Sequence, residues 1–488
     1  MGRGTKKVFD SAGIDRRTSG YYSTPGFVAD FIANEILRIK PDIARVLDPC
    51  VGKEELTGLL EEKGKDVDSF DIFEFKSAYE SNFQRTDFIE FYEEQKGQCI
   101  LGSDIDLPYD AYIANPPYNC HEVDYIRKSK KRLKSLFPDV GVHNMYSMFI
   151  SAMIDCAKQG AVIGFITLDS FLTARAHSGL RKKIHDECSI HTIALCPTDL
   201  FLDQGADVRT CIMVLQKGTE HQGSVRTANR PRNTKRFQEI LANDELVEKP
   251  LSEIVLESDD DLNEIVIGCP SELWGMFSLP RLGNLFRCVT GISTADDKKY
   301  ISPRRSEGFA VPFFKNPGKS RFYTEPNGYI VDNFLEVDSR VPNFQVRNKD
   351  ILFKEGITCS SMGVPFTACY LPPNSTFGVN ANIICSQSDI WWLIGYLNSS
   401  LVTYLVRGVL IRTNMVTSGY VSRIPIPCIS SSAKERLEKI AKQQYENKAV
   451  DALKGVAEID KVLFDDLGIT KSTQDKISTF CGDILRLT

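Results

Sequence analysis

AYIANPPY, residues 111–118, is a short apolar run that stops abruptly on a polar, proline-rich corner. Four other runs behave in a related way. Ala44–Leu47 stops at Asp48-Pro49, Val67–Phe70 at Asp71 and Ala161–Thr167 at Leu168-Asp169, while Thr210–Leu215 is a fifth run of the same kind. Helical patterns such as Phe27–Ile39 and Met145–Ala157 lie between them. Strands alternating with helices predict a parallel, doubly wound α/β sheet. Ligands in such sheets bind beyond the carboxyl ends of the strands, which is where these polar residues fall.

The Asn115-Pro116-Pro117-Tyr118 corner suits one chemical task, methylation of an aryl amine. The lone pair of such a nitrogen is delocalised into its ring, so it is a poor nucleophile. The Asn115 side-chain oxygen and the Pro116 carbonyl can each accept a hydrogen bond from the NH2 group. Together they favour a tetrahedral nitrogen and stabilise the positive charge that develops on it. The prolines fix φ and hold that carbonyl in place. Tyr118 offers a flat face on which a base can stack. A proline turn that merely closes a strand would look the same, so the corner needs company.

That company exists in order along the chain. Tyr21-Tyr22-Ser23-Thr24-Pro25 precedes a helix, and Val46-Leu47-Asp48-Pro49-Cys50-Val51-Gly52 follows the first strand. Ser69-Phe70-Asp71-Ile72 ends the second, and Thr86-Asp87-Phe88 comes before Asn115. The first 217 or so residues thus resemble the amino-methyltransferases of restriction–modification systems. More narrowly they resemble the γ arrangement, in which cofactor motifs come first and a target-recognition domain follows. The resemblance implies a Rossmann-like α/β sheet with a reversed hairpin at its end, followed by a C-terminal α+β target-recognition domain. The expected boundaries are 1–245 (catalytic), 246–430 (recognition) and 431–488 (helical).

It also implies S-adenosyl-L-methionine as cofactor and N6 of a flipped-out adenine in double-stranded DNA as substrate. Asp71 would take the ribose hydroxyls bidentately, Asp87 (beside Phe88) the adenine amine, and Ile72 and Phe149 the two faces of that adenine. Asp48 and the Gly52 turn would lie beside the methionine part, with Tyr22 and Thr24 closing the pocket. Phe201 matches an aromatic that touches the other side of the target base. One departure stands out: Lys53-Glu54 replaces the small residue and second glycine usual after Gly52, adding bulk where backbone approaches cofactor.

A duplex hides its base edges, so base extrusion costs a few kcal/mol, recovered partly through phosphate contacts. Arg127, Lys128, Lys130, Lys131, Arg132 and Lys134 form a basic run soon after Tyr118, and Arg226, Arg230, Arg232, Lys235 and Arg236 a second one. The formal net charge of -5 excludes a generic polyanion binder, so any such surface is local. In the second half, Leu282-Gly283, Val289–Ile292, Asp296-Asp297-Lys298, Tyr396–Ser399 and Arg423–Pro427 resemble recognition-domain segments.

The 14 cysteines are scattered without a C-x-x-C pair, and the charged start MGRGTKKVFDSAGIDRR has no apolar centre. Reduced thiols and a cytoplasmic location, in a bacterial, archaeal or viral setting, are therefore expected. The six histidines form no ligand cluster, so no metal is expected, and the Trp391–Ile411 apolar stretch reads as a buried helix rather than a membrane span. A cognate restriction endonuclease is an implied partner. Two alternatives stay open: methylation of RNA or of a protein amide, and a DNA-binding subunit with a weakened cofactor pocket.

Overall fold

The structure is a computed structural model describing residues 22–99, 105–118, 124–218, 223–257, 262–362, 365–410 and 415–486. The chain divides into two compact units, Met1–Gly268 and Cys269–Thr488.

The first unit runs α1 (Gly26–Ile39), β1 (Arg45–Asp48), α2 (Gly58–Glu62), β2 (Asp66–Asp71), β3 (Asn82–Arg85), α3 (Phe88–Gln98), β4 (Ala111–Ala114), α4 (Asp124–Leu136), α5 (Met145–Cys156), β5 (Val162–Leu168), α6 (Ser178–Glu187), β6 (Cys188–Leu195), β7 (Thr210–Lys217), β8 (Ser224–Ala228), α7 (Thr234–Ala242) and β9 (Val247–Pro250). These strands form one sheet in the order β3-β2-β1-β4-β5-β7-β6-β8-β9. β1 to β5 are mutually parallel, and β7 lies antiparallel between β5 and β6. This is the Rossmann-like sheet with a reversed hairpin.

Strand alternation sends successive side chains to opposite faces. Leu47, Phe70, Tyr112 and Phe165 pack on one face with residues of α3, α4 and α5. Val46, Val67, Ala111 and Ile113 pack on the other with Val28, Ile32 and Ile36 of α1 and Phe237 of α7. Each large apolar side chain so buried contributes about 1.5–3 kcal/mol. Gly164 lets α1 sit directly on β5, since a Cβ there would meet Ile32 Cγ2 at 2.7 Å. The strand order reverses between β1 and β4, and Asp48 and Asn115 stand at the carboxyl ends of those two strands. The crevice of an open α/β sheet lies at such a reversal.

The first unit runs on to Gly268 rather than ending at 245. Two features account for the extension. β9 pairs with β8, and the antiparallel pair Val255–Leu256/Glu264–Ile265 adds Val255 and Ile265 to the core. Arg181, fully buried, donates to the carbonyls of Phe171, Ala174 and Leu262. Of the charged stretch read as a linker, residues 258–261 fall outside the described residues.

The second unit is α+β, with two four-stranded sheets and helices that include Gln387–Leu397, Ser431–Glu446, Ala452–Asp466 and Lys471–Arg486. The helical segment expected as separate, 431–488, is folded into it: a Cβ on Gly395 would lie 3.2 Å from that of Leu437, and Asp460 accepts the Ser400 N–H at 2.7 Å. The two ends of the stretch 280–426 are zipped together, Leu282 N–H to Ile424 carbonyl and Ile426 N–H to Pro280 carbonyl, both at 2.8 Å. The apolar stretch from Trp391 breaks at Asn398 into two helical pieces bent by 67°, and no single described helix is long and apolar enough to cross a membrane. Asn398 is fully buried and exchanges hydrogen bonds with both backbone groups of Ala368. That family-like segment is therefore internal scaffolding.

Candidate functional site

The site begins with Asn115, just past β4. Its Nδ2 donates to the Tyr22 carbonyl at 2.9 Å and contacts the Thr24 hydroxyl at 3.0 Å. A carbonyl can only accept, so nitrogen must occupy that side of the amide. The Asn115 Oδ1 is consequently fixed on the other side. Tyr118 is buried, its ring stacked on Tyr22 at 5.7 Å, while Phe201 packs on both rings at 6.1 and 6.2 Å. Tyr22, Tyr118 and Phe201 thus form one aromatic group, in which Phe201 is fully buried.

On the β1 side, Asp48 is fully buried. One of its oxygens accepts the Cys50 N–H at 3.0 Å, and the other has no hydrogen-bond partner among the described residues. Burial pushes this carboxyl well above its ordinary value, and the charges of Asp71, Glu55 and Glu54 push it the same way. Asp71 accepts the Gly52 N–H at 3.1 Å and the Phe73 N–H at 3.0 Å. Each of its oxygens keeps acceptor capacity, because a carboxylate offers about four lone-pair positions. Ile72, next to it, is 49% exposed, an unusual display for a large apolar side chain.

Other expected residues have evident structural work. Asp87 caps α3, its Oδ1 accepting from the N–H groups of Ile89 (2.8 Å) and Glu90 (3.4 Å). Phe88 is buried and lies 5.4 Å from Phe149, also buried, so Phe88 is a core residue supporting Phe149. On α4, Arg127, Lys128, Lys130 and Lys131 are exposed, whereas Arg132 pairs with Glu93 and Glu90 of α3. In the second basic stretch three residues are engaged in ion pairs, Arg226 with Glu35 and Asp244, Arg230 with Asp169, and Arg236 with Glu239 and Glu245, while Arg232, Lys235 and Arg236 are exposed.

The Lys53-Glu54 departure resolves in an unforeseen way. Glu54 takes the left-handed conformation a glycine would favour, at φ +65°. Its side chain turns into the loop between β2 and β3. There Oε1 accepts from Ser81 N–H (2.8 Å) and Oγ (2.6 Å), while Oε2 accepts from Glu80 N–H (3.2 Å) and the Lys76 ammonium. Burial works against ionisation, but the Lys76 and Ser81 hydrogen bonds outweigh it and hold the carboxyl below its ordinary value. The stability from these bonds is therefore present above about pH 4.5 and is lost as the pH falls through the lowered value. In urea melts, Glu54→Gly is expected to be more stable than Glu54→Ala by about 1 kcal/mol, since only alanine keeps the left-handed strain. Equal midpoints for the two would show that the φ angle relaxes.

Sequence reasoning missed two residues. Gln204, in the turn after Phe201, exchanges hydrogen bonds with both backbone groups of Ser23, and Glu55 accepts the Ser23 hydroxyl at 2.7 Å. Their partner lies far away in sequence, and a lone Gln or Glu carries no motif.

Residues 90–261 match a family model described as N-6 DNA Methylase. The Type II methyltransferase M.PstI of Providencia stuartii is 29% identical over 196 residues, 39% of this chain and 35% of that protein. The Type II methyltransferase M.BanIII of Aneurinibacillus aneurinilyticus is 28% identical over 216 residues, 38% of this chain and 37% of that protein. The chain thus spans little more than a third of the length of either relative. Among solved structures, the Type IIL restriction-modification enzyme MmeI in complex with DNA superposes with a TM-score of 0.57 at 10% identity, over 98% of this chain and 80% of that one. A DrdV-DNA complex gives 0.55 at 12% identity, over 88% and 57%. At such identities the likeness is one of fold. The stretch that matches the N-6 DNA Methylase model includes Asn115 and Tyr118.

Proposed function

We propose that this chain methylates N6 of adenine in double-stranded DNA at specific sites, using S-adenosyl-L-methionine. The observation that carries the proposal is the fixed direction of the Asn115 amide. With its nitrogen held by Tyr22 and Thr24, the amide can offer only Oδ1 to an incoming NH2 group. The Pro116 carbonyl supplies the second acceptor. Both strengthen as the target nitrogen becomes cationic, which lowers the barrier rather than merely tightening binding.

The residues at the end of β1 fit the cofactor. A buried carboxylate with one unsatisfied oxygen is costly alone but matches a ligand carrying an ammonium group, and Asp48 is such a carboxylate. Asp71 would hold the ribose, with exposed Ile72 and buried Phe149 against the adenine. When bound, the cofactor supplies an activated methyl group on a sulfonium. Glu54 points away into its loop, so its share of the bulk that suggested a weakened pocket is not in the Gly52 turn.

The target base would stack on Tyr118. Aromatic pairs usually keep their ring centroids about 4.5–7 Å apart. The 5.7 Å between Tyr22 and Tyr118 leaves no room for a third ring between them, so a base stacked on that face of Tyr118 would take the place of the Tyr22 ring. Arg127, Lys128, Lys130 and Lys131 would meet phosphates, and the second unit would read the recognition sequence. A cognate endonuclease partner and a cytoplasmic location belong to the same reading.

The test uses tritiated S-adenosylmethionine and unmethylated genomic DNA, digested afterwards to nucleosides. Label is expected in N6-methyldeoxyadenosine. Label in a methylated cytosine would overturn the base assignment. Unlabelled DNA from a protein that binds S-adenosylhomocysteine would move the substrate to RNA or protein.

A further inference from the structure

The segment Tyr22–Thr24 is tied on three sides. Its Tyr22 carbonyl and Thr24 hydroxyl hold the Asn115 amide at 2.9 and 3.0 Å. Between them, Ser23 spends every polar group it has on two other elements. Its N–H donates to Gln204 Oε1 at 2.8 Å, its carbonyl accepts from Gln204 Nε2 at 2.7 Å, and its hydroxyl donates to Glu55 Oε1 at 2.7 Å. Glu55 in turn accepts the Lys53 N–H at 3.3 Å, beside the Gly52 turn. Gln204 ends the short helical turn Leu202–Gln204, which directly follows Phe201 and closes through Gly205 at φ +81°. The bidentate Gln204–Ser23 pair reproduces with a side chain the two hydrogen bonds a neighbouring strand would give.

We propose that Gln204 is a positioning residue for Asn115. By holding both backbone groups of Ser23, it fixes the flanking Tyr22 carbonyl and Thr24 hydroxyl, and through them the face that the Asn115 amide shows to its target. The physical reason is the near symmetry of an amide. A rotation of 180° about its last bond exchanges Oδ1 and Nδ2 with little change of shape. The exchanged amide would present a donor to an NH2 group that itself donates. Of the two partners only the Tyr22 carbonyl distinguishes the orientations, since the Thr24 hydroxyl can donate or accept, so slack in their segment becomes disorder in the catalytic acceptor. A misplacement of about 1 Å at a reacting group can cost 10²-fold in rate. Gln204 needs no contact with DNA or cofactor for this role.

The inference rests on the methyltransferase reading above, and the experiment separates the two. The full chain with Gln204→Ala is compared with wild type in three measurements: kcat and the cofactor KM on unmethylated genomic DNA, the S-adenosylhomocysteine Kd by calorimetry, and the melting temperature. The expected result is a kcat lower by about ten- to a hundred-fold, with KM and Kd within about two-fold of wild type, since the cofactor side of the segment stays tied through Glu55. Should the alanine variant not fold, Gln204→Glu replaces it. That side chain still accepts from the Ser23 N–H but cannot donate to the Ser23 carbonyl, and a smaller fall in kcat is expected. An unchanged kcat overturns the assignment. So does a fall in kcat matched by weaker S-adenosylhomocysteine binding and a lower melting temperature, which is the signature of a general packing role. If wild type itself transfers no label to DNA, the function reading falls first and this assignment with it.

Discussion

Asn115→Ala is expected to lower kcat for DNA methylation by about 10²–10³-fold, while S-adenosylhomocysteine binds as it does to wild type. The magnitude is that of removing one preorganised hydrogen-bonding group aimed at developing charge. Cofactor binding is expected to be spared because the Asn115 side chain makes no hydrogen bond to the Asp48–Gly52 turn or to Asp71 among the described residues, and the backbone of Tyr22–Thr24 stays tied through Ser23. Asn115→Asp is the sharper probe. It keeps an oxygen for the target amine but sets a second oxygen against the Tyr22 carbonyl, where two acceptors repel. Protonating that carboxyl restores a donor toward Tyr22. Activity of the Asp variant should therefore rise, relative to wild type, as the pH is lowered toward the carboxyl range, whereas Asn115→Ala should show no such recovery. Rate profiles of the three proteins from pH 5 upward would decide. An Asp variant that tracks the alanine variant at every pH would mean that the orientation of the amide is not what matters.

The sheet around this residue was largely legible because burial writes itself into sequence. β1, β2, β4, β5 and β7 are apolar runs that end on polar corners, and both faces of the central strands are covered. β3 was not legible for the converse reason. Asn82–Arg85 is a mostly exposed edge strand, held by backbone pairing to β2 and by Asn82 bonding Asp66 and Asp68, and it carries no apolar alternation. β6 begins directly where α6 ends, with no turn residues to mark it, and His191-Thr192 interrupts its apolar pattern. Within the candidate site, Asn115, Asp48 and Asp71 are legible as candidates because a strand end followed by a polar corner is a local pattern. Tyr22 and Thr24 were found as cofactor candidates, but their bonds to Asn115 depend on how α1 packs across β5. Glu54 shows the limit of motif reading: the identity of the residue suggested obstruction, and only its φ angle and hydrogen bonds reveal that the side chain leaves the turn.

Asp48→Asn should shift stability and ligand affinity in opposite directions. Asp48 is fully buried, one oxygen is without a partner among the described residues, and burial together with the charges of Asp71, Glu55 and Glu54 raises its carboxyl well above the usual range. An acid whose folded value is raised favours the folded state only while protonated. Its contribution is complete below the unfolded value and is lost as the pH climbs through the folded one. Above that raised folded value, the ionised group is thus a burden on the ligand-free protein, and a neutral amide of the same shape relieves it. A gain of about 1–2 kcal/mol is reasonable for removing one partly satisfied buried charge. In a unit of this size that is a rise of about 2–4 °C per kcal/mol in melting temperature. The difference between variant and wild type should shrink as the pH is lowered, because a protonated Asp48 resembles the amide. Affinity should move the other way. The ionised carboxylate is what an ammonium-bearing ligand pairs with, and a charge-assisted hydrogen bond of about 1.5–3 kcal/mol corresponds to roughly a ten- to hundred-fold loss of S-adenosylhomocysteine binding. Wild-type affinity should also strengthen as the pH rises through the Asp48 titration, while that of the variant stays level. A variant that loses both stability and affinity would assign Asp48 to the scaffold, because a carboxylate already satisfied by the protein gives no stability when replaced; a gain in one with a loss in the other can arise only if the protein leaves that oxygen for its ligand.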